Sequence, residues 1–180
     1  MPKQIDFDKC SSLIKASKDV DGFTKDNVYN LYLNKKSILP CTVKGIIRLL
    51  EFYKINLDGA NVVIIGRGNI VGKPLALALS NLNATVTLCN SHTRNLKMFT
   101  QNADIVVAAT GVPKLVNGSM LKQDAVIIDV GVTRIDNKII GDVDFDSASS
   151  VASYITPNPG GVGPMTVVMI IDNLVEMKEN

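Results

Sequence analysis

The 180 residues carry 46% hydrophobic side chains, enough to bury a sizeable core, and the length suits one full domain and part of a second. A formal charge of +2, from 19 basic residues scattered among 17 acidic ones, gives no ground for nucleic-acid or membrane binding. No apolar run reaches spanning length, Met1–Gln4 leads into no signal-peptide core, and Cys10, Cys41 and Cys89 stand too far apart for a metal site or disulfide framework, so a cytosolic protein with reduced thiols is expected.

In chain order, Asp6 is expected to cap a short helix with apolar positions at Phe7, Cys10, Leu13 and Ile14. A turn follows at Lys18–Phe23, where the residues alone read Asp21 as a turn aspartate bonding its own backbone. Thr24 opens a second helix through Asn34, and Pro40-Cys41-Thr42 breaks the chain. Thr42 is expected to cap a longer helix whose face is Val43, Ile46, Ile47, Leu49, Leu50 and Tyr53. Asn56–Gly59 is the turn before a strand of four β-branched residues, Val62-Val63-Ile64-Ile65, a run typical of a parallel strand covered on both faces.

That strand runs into Gly66-Arg67-Gly68-Asn69-Ile70-Val71-Gly72-Lys73-Pro74, where glycines permit a tight turn and close ligand approach and the following helix offers unpaired amides to an anion. The third glycine comes one residue later than in the usual dinucleotide fingerprint. Helix and strand then alternate: helix Pro74–Leu82, strand Ala84–Cys89, helix Asn95–Asn102, strand Ala103–Ala109, a helical piece near Leu121 and strand Ala125–Gly131. The expected fold is α/β, a Rossmann-like parallel sheet with helices on both faces. A hairpin turning at Asn137-Lys138, a short helix opened by Asp144 and strand Tyr154–Thr156 precede a Gly/Pro-rich loop over 157–164. The last helix, from about Met165, carries a wide apolar surface at Val167, Val168, Ile170, Ile171, Leu174 and Val175 that calls for a packing partner.

At the end of the second strand an NAD site presents an acid to the ribose 2′-hydroxyl, whereas this chain reads Cys89-Asn90-Ser91-His92-Thr93-Arg94. With Arg67 in the glycine turn, these hydroxyl and guanidinium groups suit a 2′-phosphate and favour NADP. Arg67 and Arg94 are also compatible with solvated surface cations, and His92 reads as a loop residue near the phosphate. No nucleophile elbow or metalloprotease helix motif occurs, a silence that agrees with cofactor chemistry.

Several separated motifs then agree: Lys18-Asp19-Val20-Asp21-Gly22-Phe23, Pro40-Cys41-Thr42, the glycine turn, Ala109-Thr110-Gly111-Val112-Pro113, Ile128-Asp129-Val130-Gly131 and Tyr154 through Pro159-Gly160-Gly161-Val162-Gly163-Pro164-Met165-Thr166. In these the chain resembles the methylenetetrahydrofolate dehydrogenase/cyclohydrolase family over nearly its whole length. The resemblance implies NADP-dependent oxidation of 5,10-methylenetetrahydrofolate and hydrolysis of the methenyl product to 10-formyltetrahydrofolate. By position it implies that Asp21 holds the pterin ring, that Gly66, Arg67, Gly68, Ser91 and Val132 contact the cofactor, and that Gly160, Gly161 and Pro164 close over the folate.

It also implies three parts: residues 1–53 as the remainder of a folate-binding domain with an interdomain helix, 54–156 as the NADP domain, and 157–180 as a folate loop and a returning helix. The family's folate-binding domain, about a hundred residues with the catalytic lysine and a neighbouring tyrosine, precedes the stretch matched here. Lys15, Lys18, Lys25, Lys35 and Lys36 are not in that lysine's context, so no catalytic residue is assigned. The expectation is a chain weak or inactive by itself, forming a homodimer or receiving the missing domain from another chain. A non-catalytic NADP-binding or assembly module is the alternative, and a dehydrogenase of the shikimate type a third reading. Gly68, often serine in the family, and Asn158, often valine, are departures.

Overall fold

The computed structural model describes residues 6–136 and 138–178. Seven α-helices are described: α1 Phe7–Ser12, α2 Lys25–Tyr32, α3 Cys41–Phe52, α4 Gly72–Asn81, α5 Leu96–Thr100, α6 Phe145–Ser149 and α7 Val162–Lys178. The strands are β1 Asn61–Ile65, β2 Thr85–Cys89, β3 Ile105–Ala108, β4 Val126–Asp129, β5 Thr133–Ile135, β6 Lys138–Ile140 and β7 Tyr154–Ile155. Five of them form one parallel sheet in the order β2-β1-β3-β4-β7, while β5 and β6 make a separate antiparallel hairpin.

Because side chains alternate along a strand, the sheet supports two cores. Val62, Ile64, Ile105, Val107, Val126 and Ile128 point to one face, where they meet Val43, Ile46 and Leu50 of α3 and Leu75 and Leu79 of α4. Val63, Ile65, Val106, Ala108 and Ile127 point to the other, beneath Val116, Leu121, Val143 and Ala148. The expected doubly covered parallel sheet is thus present. Its strand order reverses between β1 and β3, and at such a switch point the carboxyl ends of the strands leave a crevice.

Several boundaries differ from the sequence expectation. Pro40, not Thr42, is the residue before α3; Thr42 lies inside the first turn and its hydroxyl accepts from Thr166 Oγ1 at 3.2 Å. Proline sets an extended approach to the helix without a side-chain cap. Helix α2 stops at Tyr32, since Asn34 takes a left-handed φ of 52°. Asp6 does cap α1, accepting from Lys9 N at 3.1 Å, yet Cys10, Leu13 and Ile14 of the predicted apolar face are exposed, Leu13 at 80%. Helix α7 begins at Val162, three residues before Met165, because Pro164 fits the first turn, where its missing N–H costs no bond. The expected turn at Asn137 lies outside the described residues.

The wide apolar surface expected on the last helix is left partly uncovered on α7, whereas most of the apolar face of α3 is buried. Val43, Ile46 and Leu50 of α3 are taken up by the sheet, leaving only its end, Phe52 and Tyr53, exposed. Helix α7 packs on α3 through buried Met169 and Asn173, while Val167, Val168, Ile171, Leu174 and Val175 stay about half exposed or more. A polar clasp locks the pair. Lys44 Nζ donates to Asn173 Oδ1 at 2.8 Å and lies 2.7 Å from carboxylate oxygens of both Asp172 and Glu176, and Asn173 Nδ2 donates to the carbonyls of Val20 and Leu39. Burial opposes the charge on Lys44, but these carboxylates hold its ammonium above the ordinary value.

The turn before α2 is built by Asp19, not Asp21. Asp19 is 4% exposed and accepts from Phe23 N, Thr24 N and Asn27 Nδ2 at 3.1, 2.7 and 2.9 Å. Burial alone would raise this carboxyl, yet the bonds from Asn27, Thr24 and Phe23 hold it below the usual 3.8. A depressed folded pKa means stabilisation present in full above the unfolded value and lost as pH falls from there through the folded one. Asp19→Ala is expected to cost about 3 kcal/mol near neutral pH, the scale of a buried carboxylate's hydrogen bonds. In urea melts the gap between parent and variant should start to narrow below about pH 4 and go on narrowing as the pH falls through the depressed folded pKa, because the parent then loses the charge that the variant never had.

Candidate functional site

The glycine turn leaves β1 at the switch point. Gly66 has φ +112°, and a Cβ there would stand 2.8 Å from the carbonyl carbon of Ala109, so both the conformation and the approach of β3 require glycine. Gly66 N donates to Cys89 O at 2.9 Å, which ties the exits of β1 and β2. A Cβ on Gly72 would run into the backbone of Gly66 and Arg67, so the start of α4 sits directly on the turn. At Gly68, by contrast, a Cβ would have nothing within 4 Å.

A cleft of about 580 Å³ opens above the turn, lined by Gly66, Arg67, Gly68, Asn90, Ser91 and Thr93 on one side and by Ala109, Thr110 and Val112 on the other. Asn90 and Thr93 shape the bend after β2, with Asn90 N donating to Thr93 Oγ1 and His92 N to Asn90 Oδ1, both at 2.9 Å. Arg67, Ser91, His92 and Arg94 are exposed. Among the described residues, no acidic one lines the cleft. The open space over Gly68, exposed arginine and serine, and lack of a carboxylate fit a phosphorylated dinucleotide.

The structure therefore brings Gly66, Arg67, Gly68 and Ser91 together. Val132 lies elsewhere: it borders a second cleft of about 420 Å³ with Gly160, Gly161, Pro164, Asn158 and Thr42. Gly160, Gly161 and Pro164 also border an apolar hollow of about 390 Å³ against Leu49, Tyr53, Tyr154 and Ile155. Among the described residues, no lysine lines any of these three cavities. Asp21 lines none of them either; it is partly buried beside Cys41. Burial and the Asp21 carboxylate push the Cys41 thiol up to about 12, so it is an inert thiol at neutral pH.

Two aspartates escaped the sequence reading as functional candidates. Asp129 and Asp142 are 4% and 0% exposed; Asp129 borders the second cleft, and Asp142 accepts from the Thr110 amide in the wall of the first. Their partners lie up to 32 residues away, so no local spacing signals them.

Comparison with known proteins decides the family. Residues 40–180 match the model of the tetrahydrofolate dehydrogenase/cyclohydrolase NAD(P)-binding domain. The chain belongs to this family. It is 52% identical over 177 residues to the bifunctional protein FolD of Agathobacter rectalis, a match spanning 98% of this chain and 63% of that protein. The crystal structure of the bifunctional enzyme FolD from Campylobacter jejuni superposes with a TM-score of 0.97 at 44% identity, covering 100% of this chain and 64% of that one. The Trypanosoma brucei FolD structure, complexed with NADP cofactor and inhibitor, gives a TM-score of 0.92 at 40% identity, covering 98% and 63%. The chain thus spans somewhat under two thirds of the length of these relatives. Among the described residues, no helix is long and apolar enough to cross a membrane.

Proposed function

We propose that the chain is the NADP-binding part of a cytoplasmic 5,10-methylenetetrahydrofolate dehydrogenase and 5,10-methenyltetrahydrofolate cyclohydrolase. The observation that carries this reading is the acid-free cleft at the β1/β3 switch point, with Arg67 and Ser91 flanking an open glycine turn. NADP, when bound, supplies the hydride acceptor. The residues of this chain bind and orient it: the Arg67 guanidinium and Ser91 hydroxyl receive the 2′-phosphate, and the bare backbone at Gly68 lets the nucleotide lie close. Val132 reaches the cofactor from the second cleft. In that cleft Gly160, Gly161 and Pro164 form the loop over the folate and exclude water; Asp21, outside its lining, accepts from the pterin N–H groups once the folate-binding domain completes the site. Residues 54–156 form the NADP domain in this reading, and 1–53 and 157–180 belong to the folate side. The exposed apolar stripe of α7 supports a protein partner, either a second copy in a homodimer or the family's preceding domain.

Two substitutions separate the roles. Arg67→Ala is expected to weaken NADP by about 1.5 to 3 kcal/mol, the scale of a hydrogen bond to a charged group, while NAD changes little. Calorimetry on parent and variant reads this; equal NAD and NADP affinities in the parent would contradict the 2′-phosphate role.

Asp21→Asn replaces one acceptor by a donor at nearly constant shape. In protein assembled with the family's folate-binding domain it should weaken a folate analogue about tenfold and leave NADP affinity unchanged. An analogue affinity equal to the parent's would reduce Asp21 to its contact with Cys41.

A further inference from the structure

Between the two clefts lies a polar knot around two glycines, Gly131 and Gly141. One oxygen of Asp142, Oδ2, accepts from Thr110 N at 2.5 Å, Thr110 Oγ1 at 2.9 Å and Gly111 N at 3.0 Å. Asp129 Oδ1 accepts from Asp142 N at 3.0 Å and Gly131 N at 3.1 Å, and its Oδ2 accepts from Val143 N at 3.2 Å. Asn158 Nδ2 donates to Gly131 O, and Thr156 Oγ1 accepts from Asp129 N at 2.8 Å. The chain of bonds therefore runs from Thr110, in the wall of the nucleotide cleft, to the segment 156–158 that begins the loop of the second cleft.

We infer that Asp142 is a positioning residue, which holds the Thr110–Val112 wall of the nucleotide cleft in register with the 156–161 loop through Asp129 and Asn158. The arrangement around it favours that role over simple core filling. Asp142 is fully buried, and its second oxygen, Oδ1, has no hydrogen-bond partner among the described residues. A carboxylate buried with one oxygen unbonded is a costly way to fill space, and here the other oxygen collects three donors from a single cleft wall. Both glycines are needed for the approach, since a Cβ on Gly131 would collide with the Asp142 carboxylate and one on Gly141 with that of Asp129. Asn158 is the member where this chain departs from the resemblance noted above, and its amide supplies the tie to Gly131.

The role toward the nucleotide rests on the NADP reading, whereas the role toward the backbone does not, and the experiment keeps them apart. Amide hydrogen exchange at Thr110 and Gly111 is measured without cofactor in the parent, Asp142→Asn and Asp142→Ala, and NADP affinity is measured on the same proteins. Asn keeps an acceptor but loses the charge that strengthens its bonds, and Ala loses both. Exchange at these two amides should rise in the order parent, Asn, Ala, by about tenfold or more in the Ala variant, and NADP affinity should fall in the same order by a similar factor. A residue that merely filled the core would speed exchange across β3 and β4 alike. Exchange at Thr110 and Gly111 that is unchanged, or no faster than in the rest of those strands, would overturn the inference; so would NADP affinities equal across the series. Should the Ala variant not fold, the Asn variant decides by the same criteria. A parent that binds no NADP but shows the graded exchange would refute the cofactor reading while leaving Asp142 as the brace of the wall.

Discussion

The 180-residue polypeptide alone is expected to form NADPH from 5,10-methylenetetrahydrofolate at no more than background rate, and the family's folate-binding domain, added as a separate polypeptide, to restore measurable turnover. Among the described residues no lysine lines the nucleotide cleft, the loop cleft or the apolar hollow beside it. With no lysine in those linings to move a proton or balance charge at the folate carbon, the rate should fall by about 10³-fold or more, the combined scale of general acid–base and electrostatic catalysis. Rescue requires the added domain to find a surface, and the apolar stripe of Val167, Val168, Ile171, Leu174 and Val175 on α7 offers one. Replacing the added domain's lysine should abolish the rescue. Folate-dependent NADPH formation by the polypeptide alone, at rates typical of an enzyme, would contradict this account of where the catalytic group lies.

The second large effect is structural and falls on Gly72. A Cβ there would stand 2.8 Å from the carbonyl carbon of Gly66 and 3.0 Å from the Cα of Arg67, both backbone atoms that no side-chain rotation can move. Helix α4 would have to lift from the turn, taking the fully buried Leu75 and Leu79 with it. Gly72→Ala should therefore cost about 3 to 4 kcal/mol, placing it among the severe single substitutions. For a domain of this size that lowers the melting temperature by about 10 °C, and NADP binding should be lost with the turn. Gly68→Ser is the control for stability alone: a Cβ there meets nothing within 4 Å, so its melting temperature should stay with the parent's. Thermal melts of both variants read the difference, and a Gly72→Ala protein melting with the parent would show that the turn has slack.

The parts of the fold that were legible in the sequence are those whose signal is local. The runs Val62–Ile65 and Val126–Ile128 announce strands covered on both faces because every residue is apolar and most are β-branched, and Gly66 announces a turn because its φ of +112° is closed to other residues. Helix starts were less legible. Pro40 and Thr42 both suit the start of α3, and only the packing of Thr42 against Thr166 decides between them. The Gly/Pro composition of 157–164 suggested a longer loop than exists, since Gly163 and Pro164 are as compatible with a first helical turn as with a loop. Asp19, Asp129 and Asp142 were not legible as anchors. Their work consists of bonds to amides made available only by the folded chain, and Asp19 was hidden further by the neighbouring Asp21. In the candidate site, Gly66, Arg67, Gly68 and Ser91 could be read because they flank consecutive strands of one crossover unit, whereas the position of Val132 in the second cleft depends on the path of the chain after β4.

The most direct test of the central claim is a calorimetric titration of the 180-residue polypeptide with NADP. A saturable isotherm with one site per chain, tighter than the matching NAD titration, is the result expected from an acid-free cleft carrying Arg67 and Ser91. No saturable binding of NADP to the folded polypeptide would contradict it.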